Sequence, residues 1–110
     1  YITGQGVPRN EQQSALWYKK AASQDNAYAL NNLGLCYRNG QGVQKDDVSA
    51  FRCFQRAAQL NNRSGQYNLG RCYYLGLGVP RDEQAARFWI SKAAAAGHAD
   101  ARAFMADHQW

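Results

Sequence analysis

One short phrase returns three times along this chain: GQGVPR from Gly4, GQGVQK from Gly40 and GLGVPR from Gly76. The steps 40−4 and 76−40 are both 36 residues. The same step relates Tyr1, Tyr37 and Tyr73; Ala21, Ala57 and Ala93; Ala22, Ala58 and Ala94; Leu33-Gly34 and Leu69-Gly70; and the acidic residues Glu11, Asp47 and Glu83. A period of about 20 to 50 residues marks a solenoid, in which each unit buries its apolar face only against its neighbours. That reading decides what the glycines are for. A phosphate-cradling loop would follow a strand, converge several backbone N–H groups on the anion and end in GK[ST] or a helix N-terminus. Here Gly40-x-Gly42 has no third glycine, Lys45 is not followed by Ser or Thr, and the preceding ALNNLGLCYR has helical periodicity. The glycines are structural punctuation.

Each unit reads as two helices. Between Asn26 and Arg38, Ala29, Leu33 and Tyr37 recur at i, i+4 and i+8, with Gly34 beside Leu33. Between Asp46 and Gln59, Ala50, Phe54, Ala57 and Ala58 follow i, i+4, i+7 and i+8 behind an acidic start. The intervening NGQGVQK supplies left-handed conformations that stop the first helix and reverse the chain. Pro8 and Pro80 are expected to stiffen the equivalent loops. Gly34, Gly70 and the paired alanines allow close backbone approach, and Tyr37, Tyr73, Tyr18, Phe54, Trp17 and Trp89 are expected to fill the remaining core.

The pattern Ala29-x-x-x-Leu33-Gly34-x-x-Tyr37-x-x-Gly40-x-Gly42-Val43-x-x-Asp46-x-x-x-Ala50-x-x-x-Phe54-x-x-Ala57-Ala58, repeated from Gly65 to Ala94, resembles the Sel-1-like repeat, a 36-residue relative of the tetratricopeptide repeat. The expected fold is all-α, an α/α superhelix of about three helix-turn-helix units. The reading frame gives a partial repeat at 1–24, repeats at 25–60 and 61–96, and a capping helix at 97–110. Tyr1 falls in the slot of Tyr37, so the chain is expected to open mid-repeat. At the other end, Ala101-x-x-x-Met105-Ala106 weakens the Leu-Gly pair, Gln109 stands in place of the tyrosine and no further G-x-G follows. Terminal repeats of solenoids are commonly atypical.

Charge and reactive residues narrow the function. The net charge is +5, yet Glu11, Asp46, Asp47, Asp82 and Glu83 lie at expected helix starts and Lys19, Lys20, Arg56 and Lys92 near helix ends, where they suit the helix dipole. No Lys/Arg run points to nucleic acid, and no apolar run approaches the ~18 residues that would insert in a membrane. Cys36, Cys53 and Cys72 are odd in number. Cys36 and Cys72 are one repeat apart, beyond disulfide reach, and all three read as small buried apolar residues. His98 and His108, ten residues apart, would lie about 80° and about 15 Å apart on one helix and could not share a metal. No catalytic constellation is evident, so no enzymatic activity, cofactor or metal is expected.

What remains is a scaffold for another protein. In tetratricopeptide-like solenoids the first helix of each pair lines the concave surface. With Ala29, Leu33 and Tyr37 facing the core, the opposite face carries Tyr28, Asn31, Leu35 and Arg38; one unit on it carries Ser64, Tyr67, Arg71 and Tyr74, and in the last helix Asp100, Ala103, Asp107 and Trp110. Tyr, Trp and Arg dominate interface energetics, and Asn31 is expected to pair with an extended partner backbone. Arg38 and Arg71 imply a partner protein or peptide with acidic groups. Two alternatives are a structural spacer within a longer solenoid and an immunity protein that blocks a secreted toxin. The resemblance also covers adaptors of membrane-protein degradation and exported bacterial proteins that regulate signalling or contact host factors. It favours a bacterial exported or periplasmic setting, against which free cysteines argue.

Overall fold

A computed structural model describes the backbone of residues 7–110 and the side chains from Glu11 onward. Tyr1 and the first glycine phrase, from Gly4, lie largely outside the described residues. The described residues form six helices: α1 (Val7–Ala22), α2 (Ala27–Asn39), α3 (Asp47–Gln59), α4 (Arg63–Leu75), α5 (Glu83–Ala95) and α6 (Ala99–His108). The fold is the all-α repeat solenoid that the 36-residue period demands.

Capping residues set the helix starts. Asn26 and Asn62 cap α2 and α4, accepting the Ala29 and Gly65 N–H groups at 3.0 and 2.7 Å. Asp46 and Asp82 cap α3 and α5, Asp46 accepting from both Val48 and Ser49. These bonds, led by that from the Ser49 hydroxyl, hold the Asp46 carboxyl below the usual carboxylate range. Each such cap contributes about 1 kcal/mol. α2 and α4 end at Gly40 and Gly76, whose φ of 69° and 73° favour glycine and whose N–H groups return to the Cys36 and Cys72 carbonyls.

The second glycine of the repeated phrase has a different task. A Cβ on Gly42 would stand 2.2 Å from the Glu11 carbonyl oxygen, and one on Gly78 would stand 2.2 Å from that of Asp47. Each turn is therefore pressed onto the backbone of the preceding unit's second helix, at the start of α3 for Gly78 but a turn inside α1 for Gly42, because α1 begins at Val7 rather than at the expected Glu11; only glycine permits this approach.

Helix faces are equally close. A Cβ at Gly34 would meet the Phe54 ring of α3 at 2.5 Å, one at Gly65 would meet Ala57 of α3 at 2.6 Å, and one at Gly70 would meet Ile90 of α5 at 2.5 Å. Phe54, Leu69 and Ile90 are the largest fully buried side chains, and Ala57, Ala58, Ala93 and Ala94 are buried beside them. Consecutive helices pack in order, and α2 additionally meets α4 directly. The first helices of successive units thus lie in one layer, termed the inner layer, and α3 and α5 in the other, termed the outer.

Two expectations are corrected. Pro8 lies within the first turn of α1 rather than in a loop, a position where its missing N–H disrupts no helical bond. Trp17 is 55% exposed on α1 rather than buried, because among the described residues only α2 packs extensively against that helix.

Candidate functional site

The inner face is built by α2, α4 and α6. On α2, Tyr28 is 63% exposed, while Leu35 and Arg38 are half-buried, Leu35 leaning on the core around Phe54. On α4, Tyr67, Arg71 and Tyr74 are half-buried. Asp107 is exposed on α6. The Arg71 guanidinium lies over the Tyr67 ring, 5.8 Å from its centroid, which fixes a cation beside an aromatic plane.

Asn31 departs from its expected role. It is buried, and its Oδ1 accepts from the Asn68 Nδ2 at 2.8 Å, joining α2 to α4. The direct approach of the two helices places this amide inside the stack, where it satisfies its neighbour instead of offering that oxygen to a partner backbone.

Tyr67 and Tyr74 also make contacts that the repeat pattern does not reveal. Tyr67 stacks on His98 at 4.9 Å and meets Phe104 edge-on at 6.3 Å. Tyr74 meets Phe104, His108 and Trp110 at 5.3, 5.2 and 5.9 Å. Phe104 and His108 stack at 4.0 Å. The aromatic wall at this end of the inner face thus joins α4 to α6. Phe104 corresponds to Asn32 and Asn68 in the earlier units, so periodicity carries no trace of it.

Charge is distributed unevenly. Arg56 pairs with Asp25 at 3.0 Å, and Arg81 and Arg87 share Glu83 at 3.7 and 3.6 Å. Asp25 is held below the usual carboxylate range by its hydrogen bond and attraction to Arg56. Arg87 also lies 5.1 Å from the Trp110 ring centroid, so it is not the isolated outer-face residue that its position on α5 suggests. Arg38 and Arg71 have no carboxylate partner among the described residues. The recess of about 500 Å³ at the α2–α3 turn, lined by Lys19, Tyr37 and residues 42–46, is polar, and Lys45 there is tied to Asp47 at 2.9 Å.

The cysteines are free thiols, Cys36 and Cys72 buried and Cys53 half-buried. Burial pushes Cys53 and Cys72 each up to about 11, so both stay protonated at neutral pH and are poor nucleophiles. Among the described residues no cluster of three His, Cys, Asp or Glu side chains could hold a metal, and no helix is long and apolar enough to cross a membrane.

The Sel1 repeat model matches residues 1–26, 27–62 and 63–98. The chain belongs to the Sel1 repeat family. Solved structures that share its fold include the following three. A Sel1 repeat protein from Oxalobacter formigenes is 29% identical, with a TM-score of 0.84 over 86% of this chain and 28% of its own. A protective antigen of uropathogenic Escherichia coli strains, displaying an SLR fold, is 43% identical, with a TM-score of 0.79 over 88% of this chain and 21% of its own. Helicobacter pylori cysteine rich protein B is 31% identical, with a TM-score of 0.76 over 82% of this chain and 68% of its own. This chain therefore spans 28% and 21% of the first two. A search of curated protein sequences finds no match. Sel1 repeat proteins are generally helical scaffolds for protein interaction, and the fold is typically non-enzymatic.

Proposed function

We propose that this Sel1 repeat unit binds an acidic segment of another protein along the inner face of α2, α4 and α6. One observation carries the reading: Arg38 and Arg71 lack carboxylate partners among the described residues and are half-buried, whereas Arg52, Arg63 and Arg102, equally without a carboxylate, are exposed, and Arg56, Arg81 and Arg87 are paired. A half-buried guanidinium held beside an aromatic ring is partly desolvated and ordered before binding, which favours charge-assisted bonds to an incoming carboxylate. Exposed Tyr28 would supply apolar contact on α2, with Tyr67 and Tyr74 continuing it along α4. Asp107 would discourage acidic groups at the α6 end and so help set the segment's register.

A display library of extended peptides, panned against the chain, should enrich sequences rich in Asp and Glu. Calorimetry with one selected peptide should then show Arg71→Ala and Tyr67→Ala each weakening binding by about 1–3 kcal/mol. Arg71→Ala should also flatten the salt dependence, while Arg52→Ala, exposed on α3, should leave affinity unchanged. If neither inner-face change weakens binding, the inner face is not the site. A spacer role would then gain, since this chain aligns with only 28% and 21% of two longer chains.

A further inference from the structure

One slot, the capping position of the first helices, is filled by Asn26, Asn62 and His98, successive members of the 36-residue step. The Asn26 and Asn62 side-chain oxygens accept from Ala29 and Gly65, and His98 Nδ1 accepts from the Ala101 N–H at 3.2 Å. The three bonds are geometrically alike but chemically different. An asparagine oxygen accepts throughout the physiological pH range. Imidazole accepts at Nδ1 only while that nitrogen carries no proton, and imidazolium has two donors and no acceptor. The same ring stacks on Tyr67 of α4, so it also helps hold α6 against the neighbouring first helix.

We propose that His98 is a pH latch: neutral, it caps α6 and docks it beside α4; protonated, it releases the cap and loosens the α6 end of the inner face. The groups around the ring define the sign. From α4 come Tyr67 and the Arg63 cation, whose Nη1 donates to the Ala96 carbonyl at 3.0 Å. From α5 comes the Ala93 carbonyl, which accepts the His98 backbone N–H at 3.0 Å; Lys92, in the last turn of that helix, lies instead over the Phe88 and Trp89 rings. α6 itself contributes Asp100, which favours the imidazolium, and Arg102, whose Nε donates to the Ala94 carbonyl at 3.2 Å. The helix N-terminus adds a positive partial charge.

Burial, followed by the smaller repulsion from Arg63, holds His98 below the usual histidine value against the opposing pull of Asp100. The docked form consequently binds a proton less readily than an undocked one. Docking is complete above the ordinary histidine pKa of about 6.5 and is lost progressively as pH falls below it. The latch stands independently of whether the inner face binds an acidic segment.

Amide hydrogen exchange by NMR on the whole chain, corrected for intrinsic rates, tests the latch at about pH 7.5 and about pH 5.5. Protection of residues 101–105 should fall about fivefold on acidification relative to α4, the equivalent of one lost N-cap bond. His98→Asn, which restores the residue of the two earlier slots, should keep protection at neutral pH and abolish the acid-induced fall. His108→Gln should retain that fall. An unchanged fall in His98→Asn, no fall in the parent, or a fall abolished by His108→Gln instead would each overturn the proposal.

Discussion

Gly65 and Gly70 of α4 correspond, one 36-residue step on, to Ala101 and Ala106 of α6, and the two helices are held in different ways. α4 is gripped from two sides: Gly65 admits Ala57 of α3, and Gly70 admits Ile90 of α5, at distances that leave no room for a methyl group. In α6 only the first of these faces is closed, Ala101 being fully buried against the core around Ile90 while Ala106 is exposed. Phe104, His108 and Trp110 hold α6 through aromatic contacts with α4 instead. Close backbone approach gives a rigid interior helix; side-chain stacking around a titratable cap gives an end helix that responds to conditions.

Four substitutions probe this difference. Gly78→Ala should be the most damaging, at about 3–4 kcal/mol in urea unfolding, because its Cβ would collide with the Asp47 carbonyl oxygen at a φ of 73°. Ala57→Leu should destabilise by about 1–3 kcal/mol by forcing α3 away from Gly65. Phe104→Ala should remove about 1–2 kcal/mol, read as faster amide exchange in α6 with α4 little changed. Ala106→Leu should shift stability by less than ~0.5 kcal/mol, since that face is open. If Ala106→Leu proved as harmful as Ala57→Leu, the distinction between interior and end helices would collapse. If Phe104→Ala loosened α4 as much as α6, the two helices would form one cooperative unit.

Much of this architecture was legible in the sequence for local reasons. The repeated glycines, the acidic helix starts and the alternation of small and large residues each act within a few residues of where they stand. The 36-residue step then multiplied weak local signals into a fold. The accessible positions of the first helices were legible in outline, since Tyr28, Arg38, Tyr67, Arg71 and Tyr74, all exposed or half-buried, follow from helical phase. Asn31 was not, because its burial depends on how closely α2 approaches α4, a distance between units that phase within one helix does not fix. Of the aromatic wall, Trp110 follows from helical phase, but Phe104 and His108 were hidden for a related reason: they depart from the repeat at an end where the pattern weakens. The cap at His98 did leave a signal, its register with Asn26 and Asn62, which is visible once the capping slot is aligned.

The proposed binding face is tested most directly by mapping backbone amide shifts of the chain as an acidic peptide, selected by panning, is added. The largest changes should fall on α2, α4 and α6, centred on Arg38, Arg71 and the turn of α4 that carries Tyr67. Changes confined to α3 and α5, with α2 and α4 silent, would place the partner on the outer layer and contradict the account.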